Sequence, residues 1–451
     1  KEHYNFISFV PLFCSSIQRI NYHFFFHQKM NVTFEEARFP KLIFNFKEQN
    51  FYLNLQTELK NTDPNFKKKL VLVLIRQYQP VSLTLVCKQK QEYSELFSFL
   101  DTNLEYNMCQ QLGIPQIEQE RLSDDQFNLL TRTLASLIIG GQGDALGYCV
   151  EFMRLSSIIA SHKNLYKELS YEVSDDTQMT IFAEIAMNLG GSRENFREQF
   201  MNWYRTQNGK PFAGKQLQNI SEALNHTRAP GNTCLSSLAK GGWGSLENRI
   251  NNSKGCGSIM RNGTIALHDK QLDQLVDCAA EQALTTHCND DAFLPCCFQT
   301  VFQVKLMQTD GIWFDRCVEA VRQADEYMKQ SKYKEYYVKS NTLKLIDMLK
   351  QEKQHEVNFD AQTYSDSPLH INLQKYGEGW IADEALAIAI YSLMQSQDPM
   401  EQIIIAANHD GDSDSTACIC GQIYGSVLGF KDFPIEGIKI DVLDEIAWIC
   451  Q

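Results

Sequence analysis

The chain has 451 residues, which exceeds one average domain, so two structural units are the starting expectation. Hydrophobic residues make up 43% and charged residues 22%, which is ordinary for a globular protein. The first 120 residues hold 13 basic and 12 acidic residues, and the remainder holds 29 basic and 43 acidic ones. The acidic C-terminal part argues against binding to a phosphate backbone, so nucleic acid is not an expected partner.

The 14 cysteines form no spaced CxxC pairs with downstream His or Cys partners, which argues against a zinc ribbon and a disulfide framework. They are typical of small apolar core residues in a reducing compartment, so an intracellular, cytoplasmic location is expected. No apolar run reaches the roughly 18–20 residues that span a bilayer, so a membrane is not an expected partner. The aromatic stretch 6–26 is broken by polar residues and makes a poor signal peptide. The chain begins with Lys1, which suits a fragment or a processed form, and Met30 is a second candidate start.

The first part of the chain favours strands. β-rich runs predict them at 42–46, 51–55, 70–75 and 81–86. A polar passage near 110–120 then marks a boundary. We therefore predict an N-terminal accessory domain over 1–120, with a small sheet and an α+β character. Its role is unexplained, and a protein partner is the candidate ligand.

From Ser123 onward the pattern changes to helical spacing. Ser123 begins a capping-box pattern, and apolar residues then recur at helical spacing until Gly140 and Gly141, where we expect the helix to end. Further helices are predicted at 175–189, 271–286, 312–330, 382–396 and 415–430. The second domain, 121–451, is therefore expected to be mainly α. Its Lys-, Gln- and Tyr-rich stretch 331–375 is expected to form a surface insertion.

The first acidic cluster, Ser174-Asp175-Asp176, stands at the start of a predicted helix. Its structural interpretation is a serine N-cap followed by acidic residues that suit the helix dipole. Its functional interpretation is a set of oxygen ligands for a hard divalent cation, since adjacent carboxylates otherwise repel each other. Both interpretations stay open on these residues alone.

The second acidic cluster, Asp412-Ser413-Asp414-Ser415, follows Gly411 in a turn that resembles the first half of a calcium loop. The bidentate glutamate of an EF-hand is missing, because the chain continues directly into a helix. Small residues recur at every fourth position of that helix, so a neighbouring helix can approach it closely. A solvated acidic turn is the alternative. If the two clusters meet around two metal ions, they can lower the pKa of a bound water.

A glycine-containing turn at 255–261 leads into an apolar segment. Its residues of interest are Gly255, Gly257, Ser258 and Met260. Backbone N–H groups of such a turn suit a pyrophosphate without basic side chains, and an ordinary loop is the equal alternative. His287 is a lone histidine with a helix-terminal polar role as its default. The glycine-rich stretch 140–147 lacks the Gly-Lys-Ser/Thr of a P-loop.

Together and in this order, these segments resemble the ADP-ribosylglycohydrolase family. That family includes the dinitrogenase reductase-activating glycohydrolase and the arginine- and serine-directed ADP-ribosylhydrolases. The matching motifs are Gly143-Asp144-Ala145-Leu146-Gly147, Ser174-Asp175-Asp176-Thr177, 255–261, Thr286-His287, Gly379-Trp380 with 384–389, and 411–416. Each motif is modest singly, and their order makes the set specific. Nothing before about residue 120 resembles the family.

The resemblance implies an all-α domain with a binuclear Mg²⁺ site, in which Mn²⁺ sometimes replaces Mg²⁺. The implied metal ligands are Ser174, Asp175, Asp176, Asp412, Asp414 and Ser415. Glu151, seven residues after Asp144, matches the spacing of a catalytic or metal-gating glutamate. The diphosphate and distal ribose would contact the glycine turn, Gly411 and His287.

The implied reaction is hydrolysis that removes ADP-ribose from modified protein side chains, with ADP-ribosylated protein or ADP-ribose as the partner. The segment 228–234 is similar to the arginine-directed branch, which slightly favours an N-glycosidic arginine linkage over an O-glycosidic serine linkage. A carboxylate among Glu151, Asp175 and Asp176 would assist proton transfer.

Three departures from the family pattern bear on affinity more than on the reaction. Ser174 stands where many members have Thr, Cys256 replaces the usual Asn, and Asp410 replaces Gly or Ser. Two alternatives stay open. One is a catalytically silent ADP-ribose-binding module, and the other is a metal-dependent hydrolase of another ADP-ribosyl or nucleoside small molecule.

Overall fold

The computed structural model describes the backbone of four strands between 19 and 54 and then the chain from 124 to 446, apart from 169, 210–223, 226, 435–437, 439 and 444. Side chains are described from 129 onward. The α-helices in these ranges are α1 (Asp124–Tyr148), α2 (Leu155–His162), α3 (Asp175–Asn188), α4 (Arg193–Gln207), α5 (Asn232–Ala239), α6 (Leu272–Leu284), α7 (Asp290–Gln308), α8 (Trp313–Gln330), α9 (Lys334–Tyr337), α10 (Asn341–Leu349), α11 (Pro368–Leu373), α12 (Ala382–Gln395), α13 (Pro399–Ala407) and α14 (Ser413–Leu428).

The strands form an antiparallel meander in the order β1-β2-β3-β4. They are β1 (Arg19–Phe25), β2 (Lys29–Glu35), β3 (Lys41–Phe46) and β4 (Gln49–Asn54). β3 and β4 coincide with the predicted runs 42–46 and 51–55. β1 and β2 carried no strand prediction, although Met30, Val32 and Phe34 alternate with polar residues in β2. The predicted strands 70–75 and 81–86 lie outside the described residues, so the α+β character and extent of this domain stay predictions.

Between 129 and 446 the described residues contain helices and no strand, which confirms the mainly α prediction for this part. The helices predicted from periodicity correspond to α3, α6, α8, α12 and α14. Within the same ranges, no helix is both long and apolar enough to cross a membrane.

The expected helix end at Gly140 and Gly141 is wrong, because α1 continues through both glycines to Tyr148. Glycine inside a helix costs stability through its backbone freedom. Glycine is nevertheless required at position 140, because a Cβ there would lie 2.5 Å from Gln422 Cγ and 3.3 Å from Cys418 O. Tertiary packing therefore overrides the local signal.

α1 and α14 form the most extensive helix pair of the described chain, and glycines on both helices allow it. A Cβ on Gly143 would lie 2.2 Å from Ala417 O, and one on Gly421 would lie 2.4 Å from Ile139 O. The close helix approach predicted from the small residues is thus confirmed. α3 packs against both helices, so the starts of α3 and α14 lie near the end of α1.

The expected surface insertion at 331–375 is wrong for much of its length. Its buried apolar and aromatic side chains include Tyr337, Ile346, Leu349, Tyr364, Leu369 and Leu373. α9, α10 and α11 are short, and each buries some residues while others, such as Lys334, Lys344 and Ile371, stay exposed. Helices of only one or two turns show little periodicity in the sequence.

Candidate active site

The first acidic cluster lies at the start of α3. Ser174 is the N-cap, and its Oγ accepts a hydrogen bond from the Asp176 N–H at 3.1 Å. The buried carboxylate of Asp144 accepts hydrogen bonds from the N–H groups of Ser174 and Thr177, both at 3.0 Å. Ser174 therefore caps the helix, as the structural interpretation predicted. The hydrogen bonds to Asp144 fix the backbone of the first cluster.

The carboxylates of this cluster are almost fully buried, with 6% of Asp175 and 3% of Asp176 exposed. Asp175 Oδ2 accepts a hydrogen bond from the Gly231 N–H at 3.2 Å. Asp176 Oδ2 is buried and has no hydrogen-bond partner among the described residues. Because an unpartnered buried carboxylate oxygen is costly, this atom fits a ligand from outside the chain.

The second acidic cluster lies at the start of α14. Asp412 Oδ1 and Asp414 Oδ1 both accept the Ser415 N–H, at 3.3 Å and 2.9 Å. Gly411 has a φ of +128°, and a Cβ there would lie 2.0 Å from Glu378 O, which also accepts the Asp412 N–H at 2.8 Å. Gly411 is therefore required for close backbone contact, and its substrate contact stays a prediction.

Glu151 lies in the turn after α1 and reaches the second cluster. One carboxylate oxygen from each of Glu151, Asp412 and Asp414 lies within 4.8 Å of the others. Asp410 anchors this turn, because its Oδ1 accepts the Leu155 N–H at 2.8 Å. Three carboxylates at this separation can hold a hard divalent cation.

Burial and mutual repulsion raise the pKa of these carboxyls. Burial is the largest cause, and with the charges of Asp412 and Asp175 it raises the pKa of Glu151 to about 8. The pKa of Asp175 is also raised to about 8, again mainly by burial. The pKa values of Asp176 and Asp414 lie well above their usual range for the same reasons. A cation bound among them would relieve the repulsion and restore their ionised forms.

The glycine turn lies directly against His287, so the structure brings these two predicted elements together. A Cβ on Gly255 would lie 3.3 Å from His287 Nε2, and one on Gly257 would lie 3.1 Å from its Cε1. His287 Nδ1 pairs with Thr286 Oγ1 at 2.8 Å. Burial lowers the pKa of His287 to about 3, with a smaller contribution from a nearby arginine, so the ring is neutral.

Ser258 and Met260 are turned into the core, with exposed fractions of 0% and 3%. The Ser258 hydroxyl donates to Ala292 O at 2.9 Å, and Met260 O accepts from Gln422 Nε2 at 2.6 Å. The Ser258 hydroxyl and the Met260 carbonyl are therefore engaged inside the protein. The substrate contact of both residues stays a prediction.

Cys256 joins the glycine turn to the second acidic cluster. Its Sγ donates to Asp412 Oδ2 at 2.8 Å, and its N–H donates to Trp380 O at 3.1 Å. Through this contact the turn and His287 adjoin the second acidic cluster. That the first acidic cluster belongs to the same site stays a prediction, because the described carboxylates that meet within 4.8 Å are Glu151, Asp412 and Asp414.

Two contacts in the surroundings carried no sequence prediction. The buried Arg228 guanidinium donates at 2.8 Å to the carbonyl of Val173, the residue directly before the first cluster. It also pairs with Asp441 at 2.6 Å. Phe152, beside Glu151, is 75% exposed, has a φ of +65° and stacks on Trp380 with ring centroids 5.2 Å apart. Both contacts join distant segments. The segment 228–234, singled out by its resemblance alone, was the one available signal for Arg228.

The family profile described as ADP-ribosylglycohydrolase matches residues 125–449. This chain belongs to the ADP-ribosylglycohydrolase family. An uncharacterized protein of Archaeoglobus fulgidus is 27% identical over 325 residues, covering 68% of this chain and 91% of that protein. A solved ADP-ribosylglycohydrolase-related protein complex aligns at 17% identity, covers 72% of this chain and 98% of its own, and has a TM-score of 0.47.

Membership of the ADP-ribosylglycohydrolase family makes the chain a hydrolase of ADP-ribosyl linkages that acts on ADP-ribosylated substrates. The profile begins at 125, one residue after the start of α1. It therefore covers all of the acidic and glycine motifs described above and none of the four strands.

Proposed function

We propose that this chain removes ADP-ribose from modified protein side chains in a reaction that depends on two Mg²⁺ ions, with Mn²⁺ as a substitute. The observation that carries the proposal is the meeting of Glu151, Asp412 and Asp414 within 4.8 Å. An N-glycosidic arginine linkage is slightly favoured over a serine linkage. The basis of this choice is the similarity of the 228–234 segment to the arginine-directed branch, and the Gly231 N–H places that segment beside Asp175.

The donor set fits hard divalent cations. Carboxylate and hydroxyl oxygens are the ligands that Mg²⁺ accepts, and the unpartnered Asp176 Oδ2 gives the first cluster a free donor atom. The residues proposed to hold the two ions are Ser174, Asp175, Asp176, Asp412, Asp414 and Ser415. When bound, the cations supply Lewis acidity and lower the pKa of an associated water.

Glu151 is the carboxylate proposed to move the proton. It is partly exposed, whereas Asp175 and Asp176 are 6% and 3% exposed. Burial and the neighbouring carboxylates raise its pKa to about 8 without metal, and cations bound beside it would favour the ionised form, which can accept a proton from the attacking water. Asp175 and Asp176 would then position the ribose of the substrate and assist the proton transfer.

The glycine turn and His287 are proposed to receive the diphosphate and the distal ribose. His287 is neutral and has Nε2 directed towards Gly255. The N–H groups of Gly255, Cys256, Ile259 and Met260 already donate to Ser253 Oγ, Trp380 O and Cys256 O. The Gly257 N–H is therefore the backbone donor proposed for the diphosphate. Gly411 would complete this side of the pocket through its backbone.

The test is release of ADP-ribose from arginine- and serine-modified peptides, followed by mass spectrometry with Mg²⁺ or with EDTA. We expect turnover with Mg²⁺, none with EDTA, and a loss of about 100-fold or more in the Asp412→Asn/Asp414→Asn variant. The matched control is Asp269→Asn/Asp310→Asn, which removes two exposed carboxylates outside the site and should keep full activity.

Full activity in chelator, or in the Asp412→Asn/Asp414→Asn variant, would refute the metal assignment. Binding of ADP-ribose without turnover of either peptide would instead support a catalytically silent binding module. Turnover of another ADP-ribosyl or nucleoside compound alone would support a small-molecule hydrolase.

A further inference from the structure

An exposed pair of stacked aromatic rings lies at the edge of the candidate active site. The rings of Phe152 and Trp380 stack with centroids 5.2 Å apart and an angle of 17° between their planes. Phe152 directly follows Glu151 in the chain. At the glycine turn, the Trp380 carbonyl accepts the Cys256 N–H at 3.1 Å. The stack therefore joins the turn that carries Glu151 to the glycine turn.

An exposed carboxylate belongs to the same group of side chains. Glu378 Oε2 accepts a hydrogen bond from Trp380 Nε1–H at 3.1 Å. The Glu378 backbone is held in place, because its N–H donates to Glu384 Oε2 at 3.1 Å and its carbonyl accepts the Asp412 N–H at 2.8 Å. Phe152, Trp380 and Glu378 therefore form one connected group, the aromatic–acidic cluster, beside the second acidic cluster.

The conformation of Phe152 is not explained by packing within the described structure. Its φ is +65°, a backbone conformation that costs an L-residue free energy and that glycine adopts more readily. Its ring is 75% exposed, so burial offsets little of that cost. Strained residues concentrate at ligand-binding sites, where a ligand contacts the side chain. The ring is accordingly a candidate contact surface for a group of the substrate.

The chemistry of the aromatic–acidic cluster suits a guanidinium group. A guanidinium is planar and cationic, stacks on aromatic faces and pairs with carboxylates. The Glu378 carboxylate would repel a diphosphate, and a neutral purine base would stack on the rings without the attraction between opposite charges. In the proposed reaction, the arginine guanidinium is the group on the protein side of the cleaved bond. The cluster adjoins Glu151, the residue proposed to transfer a proton at that bond.

We propose that the aromatic–acidic cluster binds the guanidinium of the modified arginine and gives the enzyme its preference for arginine over serine linkages. The exposed face of Phe152 stacks on the guanidinium plane, and Glu378 attracts its positive charge. Trp380 supports the Phe152 ring and positions Glu378 through its indole N–H. This inference rests on the proposed function, and it names the residues that distinguish the two linkages.

The first test compares kcat/KM for arginine-linked and serine-linked ADP-ribosyl peptides in Mg²⁺. We expect Phe152→Ala to lower the value for the arginine-linked peptide about fivefold to tenfold, and Glu378→Gln to lower it about threefold, both through a higher KM. Neither variant should change the value for the serine-linked peptide by more than about twofold. Tyr171→Ala and Glu326→Gln are the matched controls, because they remove an exposed ring and an exposed carboxylate outside the cluster.

The second test needs no turnover. Saturation-transfer NMR measures binding of L-arginine amide, with L-citrulline amide as the uncharged isostere and adenosine as the competing class of ligand. We expect the arginine signal to exceed the citrulline signal about threefold or more, and to fall to the citrulline level in Phe152→Ala. The adenosine signal should be the same in wild type and in this variant.

An equal loss of kcat/KM for both peptides in Phe152→Ala would overturn the inference, because the ring would then act on Glu151 rather than on the guanidinium. Loss of the adenosine signal with an unchanged arginine signal would also overturn it and would make the cluster a base-binding surface. If neither peptide is turned over, the proposed function fails, and the arginine signal alone decides the inference.

Discussion

Asp144 is a fully buried carboxylate on which the start of α3 depends. It accepts hydrogen bonds from the Ser174 N–H, the Thr177 N–H and the Thr177 hydroxyl. Burial raises its pKa to about 6, although these hydrogen bonds act in the opposite direction. Asp144 thus positions the first acidic cluster without being a proposed metal ligand itself.

We predict that Asp144→Asn weakens Mg²⁺ binding about tenfold, because an amide whose oxygen accepts both Thr177 donors turns its NH2 group towards the Ser174 N–H. The orphaned donor should also lower the free energy of unfolding by about 1–3 kcal/mol, offset in part by relief of repulsion with neighbouring carboxylates. Calorimetric Mg²⁺ titration and urea unfolding measure the two effects. Asp325→Asn is the control, since Asp325 is a buried carboxylate whose partners are Lys329, Lys350 and Tyr337. That variant should lose stability and keep its Mg²⁺ affinity; an equal loss of affinity in both would contradict the positioning role.

The pairing of α1 with α14 is the element that places the acidic clusters. Gly143, Gly421 and Gly425 each bring their Cα against backbone of the opposite helix. At Gly425 an added Cβ would lie 2.4 Å from both the carbonyl carbon and the oxygen of Ala135. Backbone at that distance cannot turn away as a flexible side chain can.

Gly425→Ala is therefore predicted to lower the free energy of unfolding by about 1–3 kcal/mol, since overpacking outweighs the better helix propensity of alanine. Gly231→Ala is the matched control, because nothing lies within 4 Å of its added Cβ and its φ is −62°. It should be neutral or slightly stabilising. Thermal unfolding compares the two, and equal stability changes would refute the packing explanation.

At the scale of the whole molecule, the helical part encloses a group of carboxylates that repel one another. Asp144, Asp175, Asp176, Asp412 and Asp414 are all buried, and Glu151 lies at their edge. Part of the excess acidic charge of the C-terminal part is therefore buried, and the rest lies on the surface. The N-terminal domain, its protein partner and a cytoplasmic location stay predictions.

This group predicts an unfolding free energy in chelator that falls as pH rises from about 4 to about 8 and then levels off. The pKa values of Glu151 and Asp175 are about 8 in the folded protein, against 4.5 and 3.8 for free groups, so the folded state binds more protons over that window. Mg²⁺ should stabilise the protein most at the upper end, where the carboxylates are ionised.

Thermal unfolding between about pH 5 and about pH 8, with EDTA or Mg²⁺, measures this dependence. Asp175→Asn should flatten the profile in chelator, and the exposed Asp269→Asn/Asp310→Asn control should leave it unchanged. Stability in EDTA that rises with pH, or a Mg²⁺ effect independent of pH, would contradict the prediction.

The sequence by itself determined the features that depend on residues close together along the chain. Helical periodicity predicted α3, α6, α8, α12 and α14, because each has an apolar face long enough to repeat. The N-cap of Ser174 was likewise readable, since its hydrogen bond spans two residues. The order of the motifs was enough to indicate the family that the profile match confirmed.

Only the tertiary structure decided the features that depend on distant residues. Gly140 lies in a helix that packs closely against α14, and Gly141 faces Thr177 of α3 and Ile440. The role of Asp144 depends on its hydrogen bonds to the start of α3. Glu151 meets Asp412 across about 260 residues of chain. Long-range packing has no local pattern, so the sequence indicated which carboxylates to consider and the fold decided which of them meet.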